Sequence, residues 1–160
     1  MMNLFSREEY IERRKMLRWF IEQFDVYDED RAVDEMIGFV TERLGLSYND
    51  LSMISSNPDS YAPPMMEAEE EKWLFYYRFL SAMDIHQNLS PKEKEICKII
   101  ARKLEMQNSF SNALISVLPQ YIRRNLPESV VKYSFGAIKK SMVAAAMLVP
   151  LGYVIGTTYS

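Results

Sequence analysis

Apolar positions recur at steps of three and four along most of the chain, the spacing of helices that each bury one face. Tyr10, Met16, Leu17, Phe20, Ile21 and Phe24 predict a first helix over 7–25. Ser6-Arg-Glu-Glu9 opens it as a capping box: the Ser hydroxyl accepts from the N–H three residues on, and Glu9 reaches back. Val33, Met36, Ile37, Val40 and Leu44 predict a second helix over 31–44, with Gly45 suited to the left-handed residue that often ends a helix. Ser47-Tyr-Asn-Asp50 is a weaker cap for a short helix reaching Met53 or Ile54. Residues 55–64 concentrate turn formers and prolines and make the main internal linker. A helix from Met66 to Met83 follows, its first turn acidic as the positive end of the helix dipole favours. Ser90 as cap, Pro91 and Glu93 start another, continuing to about 105. A shorter helix at 109–118 precedes Pro119, and a last, apolar one is expected over 127–149, leaving 150–160 as a tail.

These elements predict an all-α fold, a single-domain bundle over 1–160 of about six or seven helices. Five glycines and seven prolines are too few to supply the turns of a sheet protein. With 22 acidic and 19 basic residues the surface has no broad basic footprint, which argues against nucleic acid as a partner. The single cysteine, Cys97, excludes an internal disulfide and a multi-cysteine zinc site. Met1-Met-Asn-Leu-Phe-Ser-Arg-Glu-Glu9 turns acidic before a signal-peptide core could form, so a cytoplasmic location is expected.

The pattern repeats. Glu35 to Leu46 lies over Glu95 to Met106 without a gap, pairing Met36 with Ile96, Phe39 with Ile99, Val40 with Ile100, Leu44 with Leu104 and Arg43 with Lys103. One residue of loop slippage sets Phe20-Ile-Glu-Gln-Phe-Asp25 over Phe79-Leu-Ser-Ala-Met-Asp84. The halves, 7–54 and 66–118, thus read as a duplicated helix-loop-helix unit, although two amphipathic helices also align through shared periodicity alone.

Phe79-Leu-Ser-Ala-Met-Asp84, Leu89-Ser-Pro-Lys-Glu-Lys-Glu-Ile96 and the helix end Ala101-Arg-Lys-Leu104 resemble the repeat unit of the TerB-like (tellurite-resistance) family, best over 79–106. In that family a helix ends in Asp-Gly, and an acid-rich turn opens the next. Here the Gly is replaced by Val26 in one half and Ile85 in the other. The resemblance implies an all-helical protein with an acidic surface cluster for a divalent cation, acting in stress-response or membrane-associated complexes.

Candidate chemistry is sparse. Asp25, Asp28, Glu29, Asp30 and Asp34 crowd carboxylates into one loop, and calcium or magnesium prefers such oxygen ligands, with Asp25, Asp28 and Asp30 the candidate ligands. Their spacing is not that of a calcium-binding loop, and acids before a helix are also expected from capping and the dipole. In the second half the acids thin to Asp84, Glu93 and Glu95, beside His86 and Asn88. His86, the only histidine, reads as a loop residue, and Cys97, aligned with Ile37, as core. No phosphate loop, nucleophile turn or zinc-protease helix is present in the sequence, so an enzyme is not expected and no cofactor is implied beyond the cation.

Two segments are richer in apolar surface than a small fold needs. Trp73, Phe75, Tyr76, Tyr77 and Phe79 nearly encircle their helix, so it is either central or covered by a partner, with Trp73 and Tyr76 as the contact residues in the second case. Met142 to Gly156 carries no charge and follows Lys139 and Lys140. Three readings stand for it: a last core helix ending before Pro150, a docking element for another subunit through Met147, Leu148, Leu151 and Tyr153, or a membrane-inserting tail. The expectation is a non-enzymatic helical adaptor or assembly subunit binding another protein or its own copy. A cation-dependent regulatory module and a membrane-peripheral protein are the alternatives.

Overall fold

The computed structural model describes residues 5–24, 31–85 and 88–159, the side chains as far as residue 145. Its helices are α1 (Arg7–Glu22), α2 (Arg31–Arg43), α3 (Tyr48–Ser56), α4 (Glu69–Ala82), α5 (Pro91–Lys103), α6 (Asn108–Arg123) and α7 (Glu128–Tyr159), with a 3-10 turn at Pro58–Tyr61. Among the described residues there is no strand. At α1 the Ser6 half of the expected box is formed, Ser6 Oγ accepting from the Glu9 N–H (3.1 Å), and at α5 Ser90 and Glu93 form the full box with bonds of 3.0 and 3.1 Å.

α4 is the axle of the fold. Its buried side chains, Trp73, Phe75, Tyr76, Tyr77, Phe79 and Leu80, point nearly all round the helix, so they need neighbours on every side. α1, α5, α6 and α7 supply them. Trp19 of α1 meets Phe75 and Phe79 edge to face, with centroids 5.0 and 6.0 Å apart. Edge-to-face contact sets positive ring edges against negative faces and adds to the stabilisation from burial. On the first-half side α1 packs against α2, α3 and the 3-10 turn; on the other, α5 packs against α6 and α6 against α7.

Four helices end alike. Gly45, Asp84, Glu105 and Asn125 have positive φ (70, 56, 61 and 50°). The next N–H in each case reaches back five residues: Leu46 to Thr41, Ile85 to Leu80, Met106 to Ala101 and Leu126 to Tyr121. This is the Schellman arrangement, which satisfies carbonyls left over at a helix end and tucks an apolar residue inward. Side chains take further leftover carbonyls: Arg13 Nη1 donates to Leu44 (2.9 Å) and Ala82 (2.8 Å), and Arg43 donates to Met83 (3.0 Å) while pairing with Glu93 (3.1 Å).

Two helices are longer than the sequence predicts. α6 does not stop before Pro119 but runs through it to Arg123. An interior proline forfeits a hydrogen bond and costs about 3 kcal/mol. α6 offsets this by burying Leu114, Leu118 and Pro119 and packing Tyr121 and Ile122 beyond them. α7 likewise continues past Pro150 to Tyr159, 32 residues or about 48 Å in all.

Burial repeats at a spacing of 60 residues. Val40, Thr41, Leu44, Leu46, Asp50 and Ile54 are buried, and so are Ile100, Ala101, Leu104, Met106, Phe110 and Leu114.

Candidate protein-interaction surface

α7 has two apolar faces. One carries Val131 and Phe135, both fully buried, then Ile138 and Met142, which pack on the core. The other carries Val130, Tyr133, Ala137 and Ala144, at steps of three, four and seven. Those steps are the spacing of a seam where one helix receives another. This outer face is exposed, Tyr133 at 79% and Val130 at 43%.

The acidic first turn of α4 fixes α7 in place. Lys132 pairs with Glu70 and Lys139 with Glu69, each at 3.0 Å, while the Lys139 ammonium lies 5.0 Å from the Phe110 ring centroid. Such surface pairs stabilise little individually. They agree with the rotation that burial of Val131 and Phe135 gives the helix. A groove of about 570 Å³ lies over Trp73, Tyr133 and Gly136, and one of about 530 Å³ over Phe110, Met142 and Val143, with Lys139 common to both. Both have apolar floors and lysine rims.

Trp73 and Tyr76, the contact residues expected if a partner covers α4, are both buried within the chain itself. Trp73 is 5% exposed and contributes only to a groove floor, and Tyr76 is fully buried, its hydroxyl donating to the Cys97 carbonyl (3.0 Å). α7 and α5 already cover the faces a partner would use. Burial also pushes the Tyr76 phenol well above its usual range, with Cys97 adding to the shift. The Cys97 thiol is pushed up to about 12 by burial and by the charge of Glu93, so at neutral pH it is a packed thiol and not a nucleophile.

Asp25, Asp28, Asp30 and His86 lie outside the described residues, as do the side chains of Met147, Leu148, Leu151 and Tyr153. Among the described residues no group of three His, Cys, Asp or Glu side chains could hold a metal ion, and no helix is long and apolar enough to cross a membrane.

A polar cluster joins α1, α3 and the 3-10 turn, and apolar periodicity carries no signal for it. Arg14 of α1 donates to Asp50 (2.8 Å) and to the Tyr61 hydroxyl (2.8 Å), and the Ser47 N–H donates to Asp50 (2.7 Å). Burial alone would raise the Asp50 carboxyl, but the Ser47 and Arg14 donors outweigh it and hold it below 3.8. With every partner satisfied inside the fold, this cluster is a structural clamp between α1, α3 and the 3-10 turn. No protein-family model, curated protein or solved structure matches the chain.

Proposed function

We propose that the protein is a non-enzymatic helical adaptor or assembly subunit that docks another protein subunit along the outer face of α7. The observation that carries this reading is the exposed seam of Val130, Tyr133, Ala137 and Ala144 on a helix whose opposite face is already in the core. Isolated apolar side chains on a surface are ordinary, but a row at helical spacing beside an apolar groove is a surface that a partner helix can cover. The TerB-like resemblance over 79–106 supports a role in a protein complex. Its missing Asp-Gly has a local counterpart, since Asp84 itself takes the left-handed conformation and Ile85 turns inward.

Light scattering over a range of concentrations tests the reading on the full chain, on a deletion of 142–160 and on Tyr133→Asp. Concentration-dependent association that the deletion and the Asp variant both abolish is expected. A monomer at every concentration, unchanged by either alteration, would overturn it. Vesicle flotation of the same chains separates membrane attachment from protein association.

A further inference from the structure

Between the start of α5 and the second half of α6 lies a cleft of about 690 Å³, away from the α7 seam. Its α6 wall carries Asn112, Ser116 and Gln120, four residues apart and all exposed. At about 1.5 Å of rise per residue they form rungs about 6 Å apart along one helix face. An extended chain repeats every two residues, about 6.6 Å. The rungs therefore keep step with its main chain over the cleft, about 12 Å, or about four residues.

The chemistry of the rungs suits the same occupant. A side-chain amide offers both a donor and an acceptor, as does each main-chain peptide unit. Among the described residues Asn112 and Gln120 make no side-chain hydrogen bond. Ser116 donates its hydroxyl to the Ala113 carbonyl (2.7 Å), which leaves its oxygen as an acceptor. Between the rungs the cleft is lined by half-buried Ile115, with the largely buried Pro119 at its floor, apolar surface for the side chain of a bound segment. Lys94, exposed and without an ion pair among the described residues, stands on the rim.

We infer that this cleft binds an extended polypeptide segment, with main-chain amides on Asn112, Ser116 and Gln120, an apolar side chain against Ile115 and Pro119, and an acidic side chain toward Lys94. The site does not depend on the α7 seam. The test begins by incubating the full chain with a bead library of randomised, N-acetylated, C-amidated hexapeptides. Enrichment of sequences combining apolar and acidic residues is expected. By fluorescence anisotropy, an enriched peptide should bind N112A/Q120A about tenfold more weakly, the loss of two net hydrogen bonds. N-methylating its central amides should weaken it similarly, whereas recognition through side chains alone would be unaffected. Lys94→Glu should reverse the preference for acid, and Tyr133→Asp should leave binding unchanged. No enrichment, or enriched peptides indifferent to N112A/Q120A or to N-methylation with helicity intact by circular dichroism, would overturn the inference.

Discussion

Asp50→Leu should destabilise the fold far more than its place on a short helix suggests. Asp50 is 6% exposed and accepts from Ser47 and Arg14, while Arg14 also donates to Tyr61. Removing the carboxylate strips Ser47 of the partner for its N–H, worth about 1 kcal/mol, and leaves a guanidinium without its counter-charge. Breaking a buried pair costs about 3–5 kcal/mol. The Arg14 side chain is 20% exposed and keeps Tyr61, so water and the phenol soften the loss toward the lower figure, about 3 kcal/mol. Replacing both partners is different. Arg14→Met with Asp50→Leu removes the charges together, and the double variant should lie within about 1 kcal/mol of the parent, since apolar replacement of a buried pair is often neutral. Urea unfolding of the four proteins gives the cycle. Losses that add to within about 0.5 kcal/mol would refute the clamp. Acid supplies a check: a depressed carboxyl stabilises fully above 3.8, and that stability is lost as the pH falls through the depressed value. The double variant should lack this step.

Glu105→Gly should stabilise the protein. Glu105 sits at φ 61°, where a Cβ costs about 1 kcal/mol, and its pair with Lys72 (3.3 Å) is at the surface and worth little. The greater freedom of Gly in the unfolded chain takes back part, leaving a net gain of about 0.5 kcal/mol, read as a raised Tm. Cys97 should resist a disulfide reagent at pH 8 in the folded protein and react at once in denaturant. Rapid labelling without unfolding would contradict its burial.

Much of the fold was legible because caps and apolar spacing are local signals. Ser6 and Ser90 announced their helices, and Gly45 its left-handed turn. The encircling aromatics of α4 announced burial but not by what, since a pattern on one helix is the same whether its own chain or another covers it. Trp73 and Tyr76 could therefore be read equally as core or as contact residues. Pro119 misled for a different reason: its cost is local, but the packing of Tyr121 and Ile122 that carries α6 onward is tertiary. Ending that helix at 118 also cut Gln120 away from Asn112 and Ser116, which hid the polar ladder. The left-handed Asp84, Glu105 and Asn125 have no glycine to mark them, and the Arg14 clamp joins residues 36 and 47 positions apart, beyond any local pattern.

The two halves agree in burial and part company at one matched position. Where the first has Asp50 held by Arg14 under the 3-10 turn, the second has Phe110 against Trp73 (5.4 Å between centroids) with Lys139 of α7 across its ring. α7 thus closes the second half where Tyr61 and the 3-10 turn close the first, and that task needs only its first half. Its last packed residue among those described is Met142, while the helix itself runs to Tyr159. No charged residue follows Lys140 in the sequence. What the core leaves uncovered on the described part of α7 is the face of Val130 and Tyr133, and apolar surface left in water is costly, which is why the proposed docking is placed there.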